Sequence, residues 1–124
     1  MAKLAGKAVA EFSGTALLVN VVVGSGIMGT NLSDDLGVAL IINAFSTILA
    51  LALLILTIGP ISGAHFNPAV SLVQLFSRQQ PIAETLTYLV AQTAGAISGA
   101  ILANAMFDLP AIQFSTHDRV SSGM

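Results

Sequence analysis

Apolar residues run along this chain in blocks, and the polar positions that break the blocks are few and clustered. Three blocks are long enough to cross a bilayer, which takes about 20 mostly apolar residues. They cover residues 8–28, 38–58 and 86–107. Between the first two lies GTNLSDDLG, a polar turn in which Ser33, Asp34 and Asp35 are placed to cap the second helix. After the third comes DLPAIQFSTHDRVSSGM, too polar to span, so 108–124 reads as an outer loop or tail. The predicted architecture is an all-α membrane protein with three transmembrane helices.

A fourth apolar stretch does not fit that scheme. Residues 59–76, GPISGAHFNPAVSLVQLF, carry a histidine, an asparagine and two prolines inside lipid-like sequence. Asn is a favoured N-cap and Pro suits the first helical position, so Asn67-Pro68 predicts a helix start. Pro68 to Phe76 is nine residues. As a helix this is about 13 Å long, under half of a hydrocarbon core of roughly 30 Å. The reading is a re-entrant segment. The chain rises in extended form through GPISGAHF, turns at Asn67-Pro68, and descends as a half-helix. Non-helical backbone at membrane depth survives only inside protein or beside a water-filled cavity. Gly63, Ala64 and His65 then expose carbonyl acceptors, and the helix start exposes N–H groups and partial positive charge. That combination suits passage of neutral polar solutes and disfavours cations. Taken alone, Asn67-Pro68 reads as a plain helix start, and it is the context that favours the re-entrant reading.

Lysine and arginine set the orientation. Lys3 and Lys7 precede the first span, Arg78 precedes the third, and Arg119 follows it. Three inside against one outside places the N-terminus in the cytoplasm and the tail outside, in a plasma (inner) membrane. Glu11 and Asn20 interrupt the first span, and its length argues against a cleaved leader.

Composition sharpens this picture. The 124 residues are 55% hydrophobic and 8% charged, against about 25% charged in soluble domains. Without a basic surplus, and with one Tyr and no Trp, nucleic acid is not an expected partner. Absence of Cys excludes disulfides, thiolate catalysis and Cys-based metal sites. No nucleophile–base set or metal cluster stands out, so neither an enzyme nor a cofactor is expected.

Three further features carry weight. Glu11 is the acid well inside a span, and such a residue is a functional candidate by default. A scaffold role is favoured: Glu11, and Gln92 from the third span, accept hydrogen bonds from free N–H groups of the re-entrant approach. A proton site is the alternative. Ala91, Gly95, Gly99 and Ala103 recur every fourth residue and allow close helix packing, as do Ala10 and Gly14 on the first span. Asn20 and Asn43 either bridge helices or face a pathway. For His65, a pore-lining side chain and a hydrogen-bonded packing residue are equally open.

SGAHFNPAV resembles the first NPA signature of the major intrinsic protein family, the aquaporins and aquaglyceroporins. AEFSGT at 10–15 is similar to the start of the family's first helix, and AQTAGAISGA at 91–100 to its third. The resemblance implies two inverted repeats, each of three spans and one half-helix, with the half-helices meeting at mid-membrane. It implies that Asn67, Pro68 and Ala69 form one of two central motifs, that Asn67 supplies one of two central amides, and that the carbonyls of Gly63, Ala64 and His65 line the inner half of the pore. The place of the family's outer aromatic constriction falls on Thr47, near Phe45 and Ile48, which leaves room for glycerol or a metalloid hydroxide besides water. The family's second NPA and its following arginine are absent from this sequence. The chain therefore reads as an N-terminal half that needs a C-terminal channel half or an inverted second copy of itself. The positive-charge bias opposes the inverted copy. Family members commonly form tetramers. A non-conducting fragment or a small structural membrane protein is the alternative.

Overall fold

The computed structural model describes residues 2–116. Four helices follow in order: α1 (Leu4–Leu32), α2 (Leu36–Ser62), α3 (Pro68–Phe76) and α4 (Ile82–Met106). Three of them, α1, α2 and α4, are long and apolar enough to cross a membrane. Each exceeds the apolar block that predicts it, most of all α1, whose 29 residues span about 43 Å. The apolar block measures the lipid-crossing part, whereas the helix continues while its backbone bonds are satisfied. Thus GTNL, expected in the turn, is the last turn of α1.

The real turn is Ser33–Asp35. Only Asp35 caps α2, its Oδ1 accepting from Gly37 N (2.7 Å) and Val38 N (3.3 Å). Ser33 acts one step earlier, its hydroxyl oxygen accepting from Asp35 N at 3.1 Å. Capping by all three turn residues is thus corrected to one, because one side chain already meets the free N–H groups.

Contacts fix the topology. Lys7 Nζ reaches the Glu84 carboxylate at 3.0 and 3.1 Å, so α1 and α4 start at one level. A side chain on Gly95 would strike the Phe12 backbone, and one on Gly99 the Ala16 backbone. The two helices therefore run parallel, with backbones in direct apposition. The small-residue stripe does this: Gly95, Gly99 and Ala103 are all buried on α4, while Ala91 is half-buried. α2 runs antiparallel to α1. Gly29 meets the Ala39 backbone at one end, Asn43 reaches Val22 O at 2.7 Å, and Ser62 meets Glu11 at the other end.

The segment between α2 and α4 consequently begins at the level of Glu11 and ends at the level of Lys7. It enters and leaves on one side, and α3 is a half-helix that does not cross. The path in differs from the sequence reading. Residues 59–62 are not extended: α2 carries Pro60 inside it and ends at Ser62, capped by Gly63, which has φ +91° and its N–H on Gly59 O at 2.8 Å. Pro60 has no N–H, so the Leu56 carbonyl lacks its helical partner and the last turn of α2 depends on contacts made elsewhere. Only Gly63–Asn67 is non-helical, so the climb is short. Arg119 and the end of the 108–124 tail lie outside the described residues.

Candidate functional site

The site is built around one carboxylate. Glu11 is fully buried on α1 and faces the end of α2, the turn before α3, and α4. Its Oε1 accepts from the Ser62 hydroxyl (2.6 Å) and His65 N (3.0 Å). Its Oε2 accepts from Phe66 N (2.8 Å) and Gln92 Nε2 (2.9 Å). Ala64 N donates to Ser62 Oγ at 3.1 Å, one step from the same centre. Three consecutive N–H groups, those of 64, 65 and 66, thus turn toward α1.

Peptide planarity carries the consequence. In a trans peptide the C=O of one residue points opposite to the N–H of the next, and this chain has no cis bonds among the described residues. Anchoring N–H groups 64–66 therefore directs the carbonyls of Gly63, Ala64 and His65 away from Glu11. None of the three accepts a hydrogen bond from within the described residues. The geometry demands unusual backbone: Ala64 has φ 52° and Phe66 φ 51°. Each such residue costs on the order of 1–3 kcal/mol and persists only where the surroundings hold it. The Glu11 and Ser62 bonds are those surroundings.

Gly14 serves this loop rather than the helix contact expected of it. A side chain there would overlap the Phe66 ring, which is 5% exposed. Phe66 turns inward because its φ near +51° reverses the chain, and Gly14, nearly one turn beyond Glu11, leaves the space.

At the top of the turn Asn67 caps α3. Its Oδ1 accepts from Ala69 N at 2.8 Å, and Pro68 follows as the first helical residue. The carboxamide oxygen is thereby committed to its own helix, which leaves the Nδ2 group free to donate outward. Asn67, Pro68 and Ala69 are all exposed.

Gln92 does not accept from the loop backbone as expected. It donates, to Glu11 and to Ser71 Oγ at 3.0 Å, because both backbone N–H groups are already taken by Glu11. Ser71 Oγ also lies 2.9 Å from His65 Nδ1. Tyr88 donates to Ser62 O at 2.6 Å and meets the His65 ring edge-on at 5.1 Å. Ser62, Ser71 and Tyr88 escape the sequence reading. Tyr88 was findable: it lies four residues before Gln92 and so on the same helix face. The two serines look like any helix hydroxyl in sequence.

The other candidates lie apart from this centre. Thr47 is half-buried on α2 with its hydroxyl unpartnered among the described residues, while Phe45 and Ile48 are exposed. Asn43 bridges α2 to Val22 O and Ser25 Oγ of α1. Asn20 makes longer contacts, 3.5 Å, to Gly99 O and Met106 Sδ of α4.

A buried acid holding a reversed loop, above an exposed Asn-Pro-Ala helix start, coincides with a family match. The model of the major intrinsic protein family covers residues 1–123. The chain belongs to the major intrinsic protein family. It is 50% identical to aquaglyceroporin AqpS of Rhizobium meliloti over 109 residues, 88% of this chain and 47% of the relative. It is 42% identical to human aquaporin-1 over 97 residues, 72% of this chain and 34% of the relative. To mouse aquaporin-4 it is 38% identical over 91 residues, 73% and 28% respectively. This major intrinsic protein family chain thus spans about half or less of the length of these relatives, and it is a multi-pass membrane protein.

Proposed function

We propose that residues 2–116 form one half of the wall of a passive transmembrane channel for water or small neutral solutes. The observation that carries it is the row of three carbonyls, Gly63 to His65, unpartnered among the described residues and leading to the Asn67 amide at the start of a half-helix. The carbonyls accept from a hydroxyl solute, and the Nδ2 group donates to it where the row ends. The partial positive charge of the α3 N-terminus repels cations at the same point.

A pore has two sides, and one side is present here. A second NPA-bearing half, carried by the same polypeptide or by another, supplies the opposite helix start and a second amide. The bareness of α2 supports this: only Ala39 and Ser62 are buried along its 27 residues. Thr47 sits on the outer part of that wall, and its small side chain suits solutes wider than water, such as glycerol or a metalloid hydroxide. The positive charges of Lys3, Lys7 and Arg78 support an orientation with the N-terminus and the α3–α4 turn on the cytoplasmic side of a plasma membrane.

The test is osmotic swelling and shrinkage of proteoliposomes. The chain alone is expected to give permeability near the lipid background, and the chain joined to a second NPA-bearing half a clear increase for water or glycerol. Background permeability in both cases overturns the channel reading. High permeability of the chain alone overturns the need for a second half.

A further inference from the structure

We infer that Ser71 is a positioning residue that fixes the protonation tautomer of His65, so that the ring presents an Nε2–H donor beside the row of carbonyls. This rests on the channel reading for its purpose, though not for its geometry.

The argument is a count of donors and acceptors. Glu11 oxygens face Ser62, His65 N, Phe66 N and Gln92. The group Gln92 turns to that carboxylate must be its NH2, since its oxygen there would oppose another acceptor. The second proton of the same NH2 goes to Ser71 Oγ. Ser71 is fully buried, and its hydroxyl proton has one acceptor within reach, His65 Nδ1 at 2.9 Å. If Nδ1 instead carried the proton and donated to Ser71, the serine proton would be buried without an acceptor. The chain of bonds thus runs Gln92 to Ser71 to Nδ1, and the neutral ring keeps its proton on Nε2.

The ring is held as well as typed. Tyr88 meets it edge-on, and its Nε2 end lies over Gly63, 3.3 Å from where a Cβ there would stand. Nε2 finds no hydrogen-bond partner among the described residues, and His65 is half-buried. A lone donor among carbonyl acceptors lets a hydroxyl solute both donate and accept at one level.

The chain has two histidines, so His117→Gln leaves one ring to read. Nitrogen NMR of the 15N-histidine-labelled chain in lipid, at a pH where the ring is neutral, is expected to show a single form, protonated at Nε2. Ser71→Ala is expected to give a mixture of both tautomers, and Ser71→Thr, which keeps the hydroxyl, to restore the single form. Should Ser71→Ala not fold, Ser71→Cys, a weak donor, takes its place with the same expected mixture. A wild-type ring protonated at Nδ1, or a tautomer unmoved by loss of the hydroxyl, overturns the inference. The ring spectrum is read without flux, so failure to conduct would count against the channel reading alone.

Discussion

Glu11 and Phe66 are 55 residues apart in the chain, yet Phe66 N lies 2.8 Å from Glu11 Oε2. One acid in the first helix therefore sets the backbone of a turn that forms only after the second. Glu11→Gln replaces one acceptor oxygen by a donor and turns it against N–H groups or the Gln92 amide. The expected loss is about 1–3 kcal/mol for each buried group left unpaired, read as earlier unfolding in mixed-micelle denaturation. Permeability of the assembled channel is expected to fall with it. Full stability of this variant would show that Glu11 does not hold the turn.

Asn67→Asp separates capping from conduction. Aspartate accepts from Ala69 N as asparagine does, so α3 keeps its cap. It has no amide donor and adds negative charge where the solute passes. The expected result is near wild-type thermal stability with permeability of the assembled channel reduced at least about tenfold, a barrier increase of roughly 1.4 kcal/mol. Equal permeability would remove Asn67 from the pathway.

Two glycine substitutions should differ in kind. Gly95→Ala presses a methyl group onto the Phe12 carbonyl, backbone that cannot rotate aside, and is expected to part α1 from α4 at a cost of about 1–3 kcal/mol. Gly14→Ala meets the Phe66 ring and displaces the turn instead. Cysteine cross-linking between α1 and α4 should weaken in the first variant and persist in the second.

The Lys7–Glu84 pair is part-exposed, with side chains 26% and 21% accessible. Such pairs contribute about 0–1 kcal/mol. Lys7→Ala is expected to change stability within that range, measured by the same denaturation. A larger loss would mean that the pair aligns the two parallel helices rather than decorating their ends.

Because the chain lacks cysteine, single introduced thiols report topology directly. Thiols at Lys3 and Arg78 are expected to react with an impermeant reagent from the same side, and one at Asp34 from the other. Labelling of Arg78 from the Asp34 side would mean that α3 crosses.

Much of this architecture was legible because membrane crossing writes itself as long apolar blocks, and α1, α2 and α4 each lie over one. The half-helix was legible for a different reason: Asn67-Pro68 is a strong local start signal, and nine residues are too few to cross. The GPIS stretch misled because Gly and Pro read as breakers. α2 passes through Pro60 anyway, since packing of Ser62 on Glu11 and Tyr88 holds the last turn. Sequence spacing makes Gly14 a helix contact and Gln92 an acceptor, because their partners in the fold, Phe66 and Ser71, come close only through a left-handed turn. Two non-glycine residues with positive φ leave no mark in the letters.

Three crossings is an odd number, and parity has an outcome of its own. Because α1 and α4 point the same way, whatever is joined after α4 sets out from the far face of the bilayer. A tandem duplicate of this unit would be inserted upside down without any change in its own code. Its short helix would be delivered from the opposite surface, tip toward tip with the first. The two-fold rotation relating two such units comes from counting passes, and needs no separate instruction.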